Sequence, residues 1–378
     1  MGTIWIVLAI ATFLISLSES KIVQGLIYKY LKLDLEHSKS KDVFFYIALL
    51  VLITYAGLRS SIGDTGFYMN MFMKVPDTLE GVFKKNDWGY IIFMYGVKQV
   101  FTHPQWILVV TSFLSLSAIL LTLKKMSPNV LFSVFLFFVL GGYMVLMNGV
   151  RQYLVVSLLF SCSFFLLKRK CWILYFLAVA IGTTIHYSAL VMIPVFFIVQ
   201  YKAWGKLTYS VIIIAIIGFL FYSQLLDLIY PILEKTQYSR YYFWIIENTN
   251  EGAHPLRFLV SLVPVGLSFI FRKDLEKNLK YYNVYINFSI LYSIVLLFST
   301  KHWIYARIGL YFGLYNLILI PAIFMYASDK RLKKYVLPAA IVLYLVFFWF
   351  DLRPHHYASY FMNINRDLIG PLTQSFYD

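Results

Sequence analysis

Residues 130–167 read VLFSVFLFFVLGGYMVLMNGVRQYLVVSLLFSCSFFLL, an apolar run whose one strongly charged side chain is Arg151. As a single helix the run would be about 57 Å long, nearly twice the roughly 30 Å hydrocarbon core of a bilayer. The chain must therefore turn within it, and Asn148-Gly149 is the turn signal. Two membrane crossings result, with Arg151 at a boundary turn on the outer side and not in mid-membrane. The fold class follows: an all-α, polytopic membrane helical bundle.

The remainder of the chain agrees. Its 378 residues are 60% hydrophobic, 19% aromatic and only 13% charged, against roughly 25% charged in a soluble globular protein. A net charge of +15 invites nucleic acid as a partner. The basic residues, however, sit in short clusters between apolar segments, which is how membrane topology is written; no nucleic-acid partner is expected. Two cysteines, Cys162 and Cys171, offer no disulfide framework, zinc site or thiol nucleophile. The opening MGTIWIVLAIATFLIS lacks a basic leader and reads as the first crossing rather than a cleaved signal. Neither a repeat nor a soluble stretch interrupts the pattern, so one integral membrane domain is expected over 1–378.

A crossing takes about 20 apolar residues. The candidates are 3–18, 42–58, 104–123, 129–147, 151–167, 172–185, 187–200, 207–226, 256–271, 281–299, 304–327 and 335–351, about 12 transmembrane helices. Residues 88–100, WGYIIFMYGVKQV, are too short and interrupted, and read as a re-entrant or surface helix. Basic clusters at 21–41, 124–125, 168–170, 202–206, 272–280 and 330–334 then share one side, the cytoplasmic one, with both termini outside. Residues 172–200 must cross twice with about 14 residues per helix, roughly 21 Å each. A short helical hairpin is expected there, its tip TTIHYS ending below the outer surface with His186 sunken.

Sorted by side, 17 of 23 lysines fall inside, whereas seven of ten arginines fall outside. Topology signalling demands no outer arginines. Arginine binds phosphate and carboxylate bidentately in partly dry sites, so an outward-facing anion site is expected at Arg59, Arg151, Arg257 and Arg307. The competing reading is that each snorkels to lipid headgroups. It fails as a joint account because lysine snorkels too and is not enriched there.

Four stretches and one loop carry the candidate chemistry. In AGLRSSIGDTGFY (56–68), Arg59 is a phosphate ligand, Asp64 an orienting or proton-accepting group and Tyr68 a sugar-facing ring; the alternative is a local turn with an ion pair. MNGVRQ offers Asn148, Arg151 and Gln152 to phosphate or sugar hydroxyls, unless these merely cap helix ends. TTIHYSAL sets His186, a candidate base, beside the sugar-facing Tyr187; burial near arginines would keep its imidazole neutral. The alternative is a structural histidine. A metal is not expected, since no second ligand stands at suitable spacing. KHWIYARIGLYF (301–312) adds Tyr305 and Arg307. In the outer loop near 227–256, Trp244 is a stacking surface for sugar rings, and Glu247 and Glu251 are acceptors of sugar hydroxyls or possible bases; interfacial aromatics explain the loop equally well. Walker loops, dinucleotide fingerprints and nucleophile elbows are absent from the sequence, and no cofactor is expected.

In their order, GLR with GDTGFY, NDWGY, MNGVRQ, IHYSALVMIPVFF and YARIGLYF with LILIP resemble the EpsG branch of the Wzy-like polysaccharide polymerases, over about residues 50–325. One departure is Gly63-Asp64-Thr65 where Gly-Thr-Asp is common in the family. The resemblance implies a multipass enzyme of the cytoplasmic membrane, active on its outer face. Such enzymes join oligosaccharide repeat units carried on undecaprenyl pyrophosphate, as in exopolysaccharide, capsule or O-antigen synthesis. It puts Arg59, Arg151 and His186 on motif positions, and implies membrane lipids, a flippase and a chain-length regulator as partners.

Two other functions use the same features. A glycan ligase, or another lipid-linked glycosyl or acyl transferase, would employ the same arginines. A transporter or flippase of anionic lipid would instead need ionisable groups at mid-membrane, and often repeated halves. The helix centres here are nearly free of charge.

Overall fold

A computed structural model describes residues 2–20, 24, 41–60, 62–83, 88–234 and 252–352. Every regular element among these residues is helical. The N-terminal half comprises α1 (Gly2–Glu19), α2 (Lys41–Gly57), α3 (Thr65–Met73), α4 (Leu79–Phe83), α5 (Trp88–Val100), α6 (Gln105–Met126), α7 (Val130–Val139), α8 (Gly142–Asn148), α9 (Val150–Ser161) and α10 (Ser163–Leu167). There follow α11 (Trp172–Ile185), a 3₁₀ turn at Tyr187–Val191, α12 (Met192–Val199), α13 (Lys206–Leu220), α14 (Tyr222–Leu233), α15 (Pro255–Ile270), α16 (Arg272–Asn278), α17 (Tyr282–Ser299), α18 (Tyr305–Tyr326) and α19 (Leu337–Leu352).

Five described helices are long and apolar enough to cross a membrane, or up to eight if each of three bent pairs counts as one span. Four further apolar helices are shorter, among them α9 and α11. A helix apolar on all sides is stable only inside a large core or in lipid, where its backbone groups bond one another. Both environments occur. α18 lies at the centre, with 78% of its most apolar window buried, while the span ending in α19 is only 22% buried. The outward faces of α13 (Ile213, Ile214, Ile217), α15 (Leu259, Val263) and α19 (Leu343, Val346) expose apolar side chains of a kind lipid would cover.

Close approach at the centre depends on glycine and on backbone-seeking hydroxyls. Gly309 and Gly313 lie against the Tyr292 ring of α17, where an added Cβ would come within 3.3 and 3.1 Å. Phe288 and Tyr315 stack flat at 3.7 Å. Ser133 of α7 donates to the Leu317 carbonyl at 2.6 Å, and Ser163 pairs with the Tyr315 hydroxyl at 3.0 Å. These bonds satisfy polar groups that a dry interior would otherwise leave costly.

The run at 130–167 bends at Gly149, as its length demands, and also earlier: α7 and α8 meet at 55°. The earlier bend sits on Gly141, whose φ of +80° suits glycine far better than any residue with a side chain. Residues 88–100 form a helix as expected. Its start packs on Thr184, and Lys98 near its end reaches the Val75 carbonyl at 3.0 Å. Residues 172–200 fold back on themselves: Tyr175 stacks on Phe196 at 5.4 Å and Phe176 meets the same ring at 5.0 Å. These partners are nearly equidistant in sequence from His186, which therefore occupies the tip of a hairpin.

Candidate functional site

The α2 end, the α8–α9 bend, the hairpin tip and the α18 start meet at one end of the bundle. Gly63 makes the first junction. With φ of +58° it lies so close to Asn148 that an added Cβ would fall 2.9 Å from the Asn148 Cα. The Tyr68 hydroxyl accepts from the Arg151 backbone N–H at 3.3 Å, joining α3 to the start of α9. Gln152 extends the seam, its Nε2 donating to the Arg307 carbonyl at 2.9 Å and making a longer 3.4 Å contact to Ser188.

Arg59 is only 3% exposed. Nε donates to Thr65 at 3.0 Å and Nη1 donates to the Ala56 carbonyl, while Nη2 is buried with no partner among the described residues. Burial lowers its pKa to about 10, against the raising influence of Tyr143, Tyr90, Tyr68 and Asp64, so it stays cationic at neutral pH. Two of its three nitrogens thus shape its own loop, leaving Nη2 and the net charge. Burial raises the Asp64 carboxyl, opposed by the guanidiniums of Arg307 and then Arg59.

His186 caps α11 in extended backbone, leaving the helix where the hairpin turns. Its Nδ1 lies 2.7 Å from Ser188 Oγ, which lies 2.9 Å from the Tyr311 hydroxyl. In one of the two proton arrangements that this chain allows, Nδ1–H donates to Ser188, Gln152 also donates to it, and the serine hydroxyl donates to Tyr311. Nε2 then keeps its lone pair for a substrate. Burial first, then the charges of Arg151 and Arg307, push the imidazole pKa down to about 3. An imidazole so placed is neutral at physiological pH.

Arg307 lies over the Trp303 ring, 5.1 Å from its centre. It shares the wall of a cavity of about 350 Å³ with Asn148, Gln152 and Arg257. Arg257 is engaged with Asp351, Nε to Oδ1 at 2.8 Å and Nη2 to Oδ1 at 2.6 Å.

The structure thus brings Arg59, Asp64, Tyr68, Asn148, Arg151, Gln152, His186 and Arg307 together, with Arg257 on the wall of the cavity that Arg307 shares. One of the expected residues stands apart. Tyr305 directs its hydroxyl to Tyr222 at 3.0 Å, in a small apolar cluster with Leu226. Tyr187 is 42% exposed beside the hairpin tip. Trp244, Glu247 and Glu251 lie outside the described residues. Ser188, Tyr311 and Asp351 carry contacts that sequence reasoning assigned to no site residue. Ser188 and Tyr311 fall within the stretches TTIHYSAL and KHWIYARIGLYF, and Asp351 is the single acid closing the run LVFFWFD. Among the described residues no three His, Cys, Asp or Glu side chains cluster as metal ligands would.

No curated protein and no solved structure matches the chain. A family model does, over residues 42–363, and this span holds every stretch that meets at the bundle end. The chain belongs to the EpsG family.

Proposed function

We propose that this membrane protein of polysaccharide biosynthesis is a polymerase, joining undecaprenyl-pyrophosphate-linked repeat units on the outer face of the cytoplasmic membrane. The observation that carries the reading is the gathering of Arg59, Arg151, Arg307, Asp64 and His186, from four separate stretches, at one end of an apolar bundle. Family membership supports it.

The donor is the growing chain, held through its anomeric carbon to the pyrophosphate; the acceptor is a hydroxyl of the next repeat unit. As the hydroxyl oxygen attacks, the bond from anomeric carbon to phosphate oxygen breaks, the configuration inverts and the pyrophosphate leaves with the electron pair. Arg151 and Arg307 hold that charge without a metal, assisted by Arg59, and Asn148 and Gln152 fix the nearby oxygens. His186 Nε2 takes the hydroxyl proton.

A histidine with its pKa near 3 is a weak base on its own. Two of the causes holding it down are Arg151 and Arg307, and the pyrophosphate neutralises both. Its arrival therefore raises the basicity of His186 at the moment the proton must move. Asp64, close to Arg307, is the second candidate for that proton.

The proposed topology has twelve crossings and both termini outside, with the chain a single membrane domain. In support, each of the five long helices, three bent pairs and four shorter apolar helices overlaps one of the segments read from the sequence. Reporter fusions after Lys170, Lys280 and Lys334 are expected to signal cytoplasm, and a fusion near Asn248 the outside. If the loops at 170 and 334 lie on opposite sides, the twelve-crossing arrangement and the sunken His186 both fall.

Glycan length analysis after gene deletion tests the function. Loss of the gene should leave single repeat units on the lipid carrier and abolish long polymer. Unattached full-length polymer would assign a ligase instead, and unchanged glycans would remove both. A flippase and a chain-length regulator are the proposed protein partners.

A further inference from the structure

The cavity that carries Arg307 and Arg257 at one end continues well past them. Phe137, Met144, Val260, Leu314, Phe347 and Phe348 make its walls apolar. Arg257, Arg307 and Asn148 stand at the ends of their helices, so the polar groups form a rim and the apolar walls lie deeper. Leu314 is seven residues beyond Arg307 along α18, which puts it about 10 Å further in.

Two outer helices flank this cavity, and their contacts at the rim are few and specific. Arg257 at the start of α15 bonds Asp351 at the end of α19, and His254 sets its ring edgewise on Phe350 at 5.5 Å. α15 and α19 present apolar outer faces on either side of this clasp. The guanidinium of Arg257 is 36% exposed and the carboxylate 23%, so the ion pair stabilises the closed rim by only about 1 kcal/mol or less. With two guanidiniums to one carboxylate, the rim keeps a net positive charge. An incoming phosphate offers more charge and more acceptor oxygens than Asp351 does.

We infer that this cavity takes the phosphate-proximal part of the hydrocarbon tail of the lipid pyrophosphate, admitted between α15 and α19 as Arg257 exchanges Asp351 for the lipid's phosphate. The inference rests on the lipid-linked donor proposed above and adds to it a berth and a clasp that opens by ligand exchange. Asp351 is a positioning residue in this scheme: it holds Arg257 at the rim until phosphate replaces it.

The test uses the full-length protein in nanodiscs and a polyprenyl monophosphate bearing a photoactivatable diazirine on its tail. The matching polyprenyl alcohol and a diazirine phosphatidylglycerol serve as the other arms. Peptide mapping should place the tail label on Met144, Val260, Leu314 or Phe347, at lower concentration for the phosphate than for the alcohol. Asp351→Asn removes the competitor for Arg257 and should tighten the phosphate probe by about threefold to fivefold, the worth of a part-exposed ion pair. Arg257→Gln should weaken it about tenfold or more, leaving the alcohol unchanged. Should Asp351→Asn fail to fold, the double variant Arg257→Gln/Asp351→Asn removes both partners of the clasp and leaves Arg307 as the cation of the rim. It should label the same wall but bind the phosphate probe more weakly than wild type, with the alcohol unchanged.

Labelling confined to Leu259, Val263, Leu343 or Val346 on the outer faces overturns the inference. So does phosphatidylglycerol labelling the cavity as well as the polyprenyl phosphate, or Asp351→Asn binding the phosphate probe no tighter than wild type. None of these readouts needs a sugar acceptor, so their failure leaves the polymerase reading to glycan length analysis.

Discussion

Arg151→Lys is expected to yield no full-length polymer at wild-type protein abundance, although it keeps the positive charge. A lysine presents one ammonium point charge, whereas the guanidinium fork meets two phosphate oxygens at once. The backbone that carries the fork is fixed: the Arg151 N–H is anchored to Tyr68 at 3.3 Å, and neighbouring Gln152 is bonded to the Arg307 carbonyl at 2.9 Å. Removing one donor to developing charge in a dry site costs about 10²–10³ in rate. Arg151→Ala should fall at least that far. The measurement is glycan length on gels for wild type, Arg151→Lys and Arg151→Ala at matched expression. If Arg151 only snorkels to headgroups, lysine should replace it with little loss. Full-length polymer from the lysine variant would therefore sink the pyrophosphate role.

His186→Ala is expected to lose polymer synthesis by about 10²–10⁴-fold, the usual contribution of a positioned proton-transfer group, with the protein still present in the membrane. The fall should not be mimicked by mild acid. Because the pKa of the folded protein lies near 3, below the ordinary 6.5, the neutral ring is favoured throughout the interval between those values. Acidification from about pH 7 to 5 should therefore not protonate the base in the empty site. Near-normal polymer length from His186→Ala would move the role to Asp64, Glu247 or Glu251. A steep acid loss that survives His186→Gln would point to Asp64 in particular, whose raised carboxyl titrates closer to neutrality than a solvated one.

Much of this arrangement was legible as arithmetic on lengths and charges. The hairpin around His186 follows from a segment too long for one crossing and too short for two ordinary ones. The gathering of several arginines at one end of the bundle follows from lysine and arginine parting company along the chain. Other features depend on contacts that no local pattern encodes. Arg257 and Asp351 are 94 residues apart, and neither stretch signals the other. Arg59 reads as a residue leaving a helix, yet it turns back into the protein because Thr65 and the Ala56 carbonyl offer it partners. Gly141 sits in an apolar run where Gly-Gly reads as tolerated helix, and only its left-handed φ exposes the earlier bend. Tyr305 is next but one to Arg307 in sequence, but a two-residue step along a helix turns it to a different face, toward Tyr222.

The contact between Gly63 and Asn148 makes the two neighbouring stretches a single heritable unit. A methyl group at 63 would both strain a backbone at φ +58° and push on the Asn148 Cα, three residues from Arg151. Changes in GLRSSIGDTG and in MNGVRQ should thus be epistatic, with double substitutions departing from the sum of the singles, as residues in direct contact do. Divergence in one stretch therefore calls for accommodation in the other.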